Sequence, residues 1–457
     1  MASAPPVSPH SVHILALSEF KPPASSRAWV SVPNPNGLPL LATATSDKTV
    51  RVYSLLNFTL HSTLEGGHSR SVRSVAWKPQ ATRRNINTRT LCLATGSFDA
   101  TMGIWRRKES PEGRNENGLK DIYRSDGEDD GDGLEVEITG AHPRQSRLDS
   151  EEDISENGED WEFALVLEGH ESEIKHISYS PSGQWLASCS RDKSIWIWEE
   201  VGEEDEDEWE TIAVLQEHTA DVKCVCWRED DGNGEVLASA SYDDTVRLWR
   251  EEIHGEGEWG CFATLEGHEG TVWDLQWEPE VSQKTFETEI LTDTERPRRI
   301  PRLMSASADT TIRIWTLQPL PPPPNRPSYF NPSIPSTMRP APANEIWTCT
   351  ATLPKVHDLP VYSIDWSKKT GRVVSAGGDG RVAIYGETTK GRTRVGGEIE
   401  REWVVLGVLV GGHGPYEINC VTWCTRFDPE RRYDDEEMIV TTGDDGSIRA
   451  WGVFDGQ

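Results

Sequence analysis

Histidine, a small hydroxyl residue and aspartate recur together along the 457-residue chain. These are the residue types of a base, a nucleophile and an orienting acid. His68 and Asp99, His170 and Asp192, and His268 and Asp309 are three such sets, followed by Trp105, Trp198 and Trp315. A catalytic triad is needed once, whereas these sets return in most units of the chain, so they read as architecture and the chain as no enzyme. The eight cysteines receive the same reading. A metal or cluster site calls for C-x-x-C pairs or thiols converging from loops. Cys224 and Cys226 instead alternate along one strand, Cys92 and Cys189 fall in others, and Cys420 and Cys424 flank a further one. Buried packing is the expectation, with no metal site and no cofactor. The spacing of Cys420 and Cys424 near the end of a unit is the one point of caution.

The elements that position these residues follow from the repeats. A histidine, an apolar residue and an aromatic nine positions after the histidine recur in GHSRSVRSVAW (67–77), GHESEIKHISY (169–179), EHTADVKCVCW (217–227), GHEGTVWDLQW (267–277) and VHDLPVYSIDW (356–366). GHGPYEINCVTW (412–423) is a sixth copy with one extra residue. Small residues, an aspartate and alternating apolar positions follow each copy, as in CSRDKSIWIW (189–198) and ASYDDTVRLW (240–249); TSDKTVRVY (45–53) makes seven. Alternation of this kind marks half-buried strands. The register resembles WD40 repeats, and the predicted fold is all-β: one seven-bladed propeller over residues 1–457. The resemblance implies that histidine, Ser/Thr, aspartate and tryptophan form a buried hydrogen-bonded tetrad in each blade. Blade one lacks the histidine, and blades one and six end in Tyr53 and Tyr385, so their chains should be incomplete. The last blade has no fourth strand after Trp451, and VHILAL (12–17) is the natural supplier that closes the ring.

Histidine spacing jumps to 102 residues between His68 and His170 and to 89 between His268 and His357. The excess is assigned to loops on the bottom face: 106–160, 199–208, 316–345 and 386–401 between strands c and d, and 80–90, 278–301 and 424–437 between a and b. Segment 106–160 carries 18 acidic and 8 basic residues, which predicts an acidic, disordered insert in blade two. Segment 316–345 is a Pro-rich insert in blade five. The formal net charge of −30 argues against a nucleic-acid or membrane-surface partner. No apolar run reaches membrane-spanning length, and no secretion signal is evident, so a reducing cytosolic or nuclear compartment is expected.

The top face keeps short loops throughout. The residue before each turn aspartate should project there: Ser46, Phe98, Arg191, Tyr242, Ala308, Gly378 and Asp444. Residues flanking the start of strand a join them, including Arg73, Lys175, Trp273 and Tyr362. Aromatic residues and arginine anchor protein interfaces. Arg191, Phe98, Tyr242, Trp273, Tyr362, Lys175 and Arg73 are therefore the candidate partner-binding residues. Arg191 is the expected anchor, walled by Phe98 and Tyr242 unless Glu173 or Asp221 pairs with it internally.

The stretches RSVAWKPQ, SCSRDKSIWIWE, SYDDTVRLW, LEGHEGTVWDLQW and HGPYEIN resemble, beyond the general repeat, the WD40 subunit of the cytosolic iron–sulfur protein assembly machinery. The resemblance implies a scaffold in the late targeting complex, working in cytoplasm and nucleus. Its partners would be a HEAT-repeat scaffold, a small acidic protein, an iron-only-hydrogenase-like cluster carrier and apo client proteins. The WD40 subunit itself is expected not to ligate the cluster. The acidic insert departs from the family's compact pattern and suggests a fungal-type member. The competing expectation is a WD40 adaptor of another kind, a ubiquitin-ligase substrate receptor or a peptide reader.

Overall fold

The structure, a computed structural model, describes residues 11–80, 89–109, 161–201, 208–230, 234–251, 258–279, 300–318, 345–392 and 399–456. The period-two runs become strands. In Ile195–Glu200, Ile195 and Ile197 are buried while Trp196 between them is not, which is the alternation that predicted the strand. The strands form seven antiparallel four-stranded sheets, the blades of a propeller. Blade two shows the order: strand a is Val72–Trp77, b Arg89–Ser97, c Thr101–Glu109 and d Glu162–Glu168.

The ring closes as the sequence predicts. Val12–Glu19 is the outer strand of blade seven, beside Ile448–Asp455, Glu437–Gly443 and Ile418–Thr425. Val12 lies opposite Asp455 and Glu19 opposite Arg449. The core sits between blades. Leu40, Ala42, Val50 and Val52 of blade one pack on Val72, Val75 and Trp77 of blade two. Across the closing seam, Phe20 and Tyr53 pack with Met438, Val440 and Ile448. Fully burying one such aliphatic side chain contributes about 1.5–3 kcal/mol, and closure lets every blade bury both faces.

Strand a is innermost, and its polar residues tie blade two to three, five to six and six to seven around the channel. Ser74 accepts the Ile177 N–H at 3.2 Å, Asp274 the Ile364 N–H at 2.9 Å, and Ser363 the Val421 N–H at 3.2 Å. The tetrads add a second set of ties within blades. In blade three the Trp198 indole N–H donates to Ser188 Oγ at 3.0 Å. Ser188 lies 2.8 Å from His170 Nε2, and His170 Nδ1 lies 2.8 Å from Asp192. An indole can only donate, which frees the hydroxyl proton for Nε2 and leaves Nδ1–H for the carboxylate. Blades two, four, five and seven repeat the chain through His68, His218, His268 and His413. Burial alone would raise the aspartate pKa values, but the histidine bonds and those from neighbouring hydroxyls hold Asp99, Asp192, Asp243 and Asp309 well below the carboxylate range.

Three expectations need correction. Blade six is nearly complete: His357 bonds Ser375 at 2.7 Å and Asp379 at 3.0 Å, and only the Ser375–Tyr385 link is long, at 3.4 Å. In blade one, as expected, the chain is missing, and Thr43 bonds Ser31 at 2.7 Å instead. Residues 386–401 are not simply loop. Strands c (Arg381–Arg392) and d (Ile399–Val410) of blade six run on as a ribbon, with Gly386 opposite Val404 and Thr389 opposite Arg401. Thr388, Thr389, Trp403 and Val404 are strand-favouring residues, and Glu387 is held by Arg302 at 2.9 Å.

The third concerns only the bounds of 424–437, whose middle is the expected connection between strands a and b. Strand a runs to Thr425 and strand b begins at Glu437. The turn between them is built around buried Arg426, whose guanidinium grips Asp428 at 2.6 and 2.7 Å. Glu436 is buried beside it and accepts from Arg432 Nε at 2.8 Å. The expected inserts in 106–160 and 316–345 lie almost wholly outside the described residues. Strand c of blade two reaches Glu109, three residues past Arg106, and strand c of blade five reaches Leu317.

Candidate protein-docking face

Two local devices build the top face. First, the residue before each turn aspartate donates its backbone N–H to the residue preceding strand a: Ser46 to Arg27, Phe98 to Ser71, Arg191 to Glu173, Tyr242 to Asp221, Ala308 to Thr271, Gly378 to Pro360 and Asp444 to Glu417. The two sets of predicted top-face residues are thereby brought together blade by blade. Second, strand a carries an irregularity after its first residue in all seven blades, for example between Val72 and Ser74 and between Ile174 and His176. A bulge of this kind re-aims the extra side chain. The re-aimed residues are Trp29, Arg73, Lys175, Lys223, Trp273, Tyr362 and Asn419.

All seven bulge residues line one central depression of about 290 Å³, joined by Arg27, Phe98 and Glu417. Its walls alternate rings and cations. Arg27 and Arg73 lie over Trp29 at 4.7 and 5.1 Å, and Lys175 lies over Phe98 at 4.5 Å. Lys223 lies 5.3 Å from the Trp273 ring, and Trp273 meets Tyr362 edge-on at 5.3 Å. A Cβ at position 378 would stand 3.2 Å from the Tyr362 hydroxyl, so glycine there leaves room for the ring. Burial and neighbouring Glu417 push the Tyr362 pKa up to about 12.

A second depression, of about 230 Å³, is lined by Glu173, Lys175, Arg191, Asp221, Lys223 and Tyr242. Arg191 is 59% exposed and only 4.0 Å from Glu173. Glu173 is held more tightly by Lys175 at 2.7 Å and Arg70 at 3.1 Å, and these cations keep its pKa below the ordinary value. Asp221 bonds Lys223 at 3.1 Å. The internal pairing that would neutralise Arg191 is therefore marginal, and its fork of donors faces outward beside Tyr242, itself 59% exposed.

Of the seven predicted residues, Arg73, Phe98, Lys175, Trp273 and Tyr362 share the central depression. Arg191, Tyr242 and again Lys175 share the second. Phe98 does not wall Arg191 as expected; its ring is turned to Trp29, 6.0 Å away. The sequence reading missed Arg27 and Trp29, because blade one lacks the histidine that sets the register. Counting back from Asp47 would have found them, since Ala28 pairs with Thr45 as Val72 pairs with Ser97.

The cysteines lie in strands. Cys420 and Cys424 are both inside Ile418–Thr425 rather than flanking it, opposite Thr442 and Met438. Four residues of strand separate them by about 13 Å. Burial pushes the Cys189, Cys226 and Cys420 thiols up to about 12, which makes them poor thiolates. Among the described residues no three His, Cys, Asp or Glu side chains are grouped as metal ligands would be.

Comparison with known proteins agrees with this architecture. The family described as WD domain, G-beta repeat matches residues 58–106, 161–199, 209–250, 259–316, 347–385 and 403–452. A probable cytosolic iron-sulfur protein assembly protein 1 of Botryotinia fuckeliana is 66% identical over 442 residues, 96% of each chain. The chain belongs to this family of WD40 proteins. The protein of the same description from Sclerotinia sclerotiorum is 62% identical over 96% of this chain and 95% of its own. That of Pyricularia oryzae is 48% identical over 96% of both. The family assignment rests on nearly the whole length, so it extends to blade one, where the repeat signature is weakest.

Proposed function

We propose that this chain is the WD40 adaptor of cytosolic iron–sulfur protein assembly, a non-catalytic subunit that holds other proteins of the targeting machinery together. Its partners are a HEAT-repeat scaffold, a small acidic protein, an iron-only-hydrogenase-like cluster carrier and apo client proteins of cytoplasm and nucleus. The cluster is cargo of the complex and is ligated elsewhere. The relatives' shared description supports the pathway. The observation that carries the docking role is Arg191: a guanidinium on the top face whose nearest carboxylate among the described residues is 4.0 Å away and already bonded to two other cations. Arginine clamps carboxylates with paired donors, and Tyr242 beside it supplies an apolar wall.

Tagged parent and Arg191→Glu proteins, purified from cells with their bound proteins identified, test this reading. The parent should bring down iron–sulfur assembly subunits. The variant should fold with stability within about 1 kcal/mol of the parent, as befits an exposed charge, yet lose at least one partner. Recovery of a cullin or a chromatin complex instead would favour a ubiquitin-ligase receptor or peptide reader, and equal recovery by the variant would remove Arg191 from the interface.

A further inference from the structure

One cation of the central depression has no hydrogen-bond or ion-pair partner among the described residues. Among the described cations that line it, Arg27 pairs with Asp444 at 2.6 Å, Lys175 with Glu173 at 2.7 Å and Lys223 with Asp221 at 3.1 Å. Arg73 makes no hydrogen bond or ion pair with any described residue, and its only ring contact is with Trp29. It is half-buried, and a bulge in strand a turns it into the depression. Burial depresses its pKa, and buried groups including Cys420 and Asp274 partly offset that fall. Its guanidinium is open to the depression, so its five donors are available to a ligand that supplies acceptors.

The surroundings say what ligand that would be. Arg73, Lys175 and Lys223, on blades two, three and four, line the same depression; burial lowers the Lys223 pKa, Asp221 opposes that fall, and Lys175 and Arg73 add to it. Each lysine uses one donor on its own blade's carboxylate and has donors to spare. A fork and two ammonium groups on one side of a cavity match the three oxygens of a phosphate better than the two of a carboxylate. The rest of the wall carries four flat rings, Trp29, Phe98, Trp273 and Tyr362, together with Arg27, Asn419 and one carboxylate, Glu417. A volume of about 290 Å³ admits a small molecule.

We propose that the central depression binds a phosphate monoester carried on a flat, apolar body, with the phosphate on Arg73 between Lys175 and Lys223 and the body against the aromatic wall. This site adjoins the Arg191 depression and shares Lys175 and Lys223 with it, but it does not use Arg191 and is tested on the chain alone with small ligands, so its failure is distinguishable from failure of the adaptor reading.

Calorimetric titration of the full chain at low ionic strength with phenyl phosphate, inorganic phosphate and benzoate tests it. Phenyl phosphate should bind saturably and up to about tenfold more tightly than inorganic phosphate, the gain that aromatic contact provides. Arg73→Gln should weaken phenyl phosphate at least about tenfold, and Arg431→Gln, on the opposite face, should leave it unchanged. Should Arg73→Gln fail to fold, Lys175→Gln takes its place with a smaller loss in the same direction. No saturable binding, benzoate binding as tightly as phenyl phosphate, inorganic phosphate binding as tightly as the ester, or full affinity in the folded Arg73→Gln variant would each overturn the proposal.

Discussion

Asp274 and the tetrad aspartates are the same residue type in opposite electrostatic situations. Asp274 lines the channel, where burial pushes its pKa up to about 6 despite the Ile364 and Leu275 N–H groups that favour the charged form. An unfolded aspartate titrates near 3.9. Between about pH 4 and 6 the folded protein therefore keeps a proton that the unfolded chain has released, and stability from this group falls as pH rises through that window. The tetrad carboxylates act the other way. Asp445, held down to about 2 by His413 and Ser447 against the effect of burial, contributes stability above pH 4 that is lost as pH falls toward 2. Urea-unfolding midpoints of parent and Asp274→Asn, measured from pH 4 to 7, separate the two. The variant should show a flatter decline between pH 4 and 6 whatever its absolute stability, and identical slopes would mean that Asp274 does not titrate there.

At the level of elements, the strands and their order were legible because period-two alternation and the histidine–aspartate register are local properties of the chain. The tetrads of His68, His170 and His268 could be written down in advance for the same reason. The bulge in strand a was not legible. It inserts a residue without changing the apolar pattern, so Lys175 and Trp273 were placed on the face by spacing alone, and blade one's Trp29 was missed altogether. The Arg426 turn was missed because charged residues in a loop normally read as solvated, and only burial of Asp428 and Glu436 around one guanidinium makes them structural. Closure of the ring by Val12–Glu19 was legible, since the last blade lacked a strand. It also gives a sharp test. Deleting residues 1–18 should strip blade seven of its outer strand, leave one edge of Ile448–Asp455 unpaired and expose Val12's neighbours Leu406 and Trp451. A lower and broader melting transition by calorimetry is expected, and an unchanged melting temperature would show that the seam closes without this strand.

At the scale of the whole molecule, the propeller separates a face of short loops from one that carries long connections. Strands c and d of a blade are neighbours, so whatever joins them begins and ends at nearly the same place. In blade two Arg106 lies directly opposite Glu162, and the two strands stay paired back to Thr101 and Glu168. Pairing of that length fixes the distance between chain ends however many residues intervene, and the entropy of closing a loop grows only slowly with its length. We expect that replacing residues 110–160 by a short Gly/Ser turn leaves the fold intact, removes most of an acidic stretch, and keeps the melting temperature within a few degrees of the parent. Because the top face is built by strand-a bulges and b–c turns, the shortened protein should also retain every partner that depends on Arg191. Calorimetry and co-purification on the same preparation check both. An insoluble or non-cooperative product would make 110–160 part of the folding unit, whereas a well-folded product that loses partners would place a second docking element in the acidic segment.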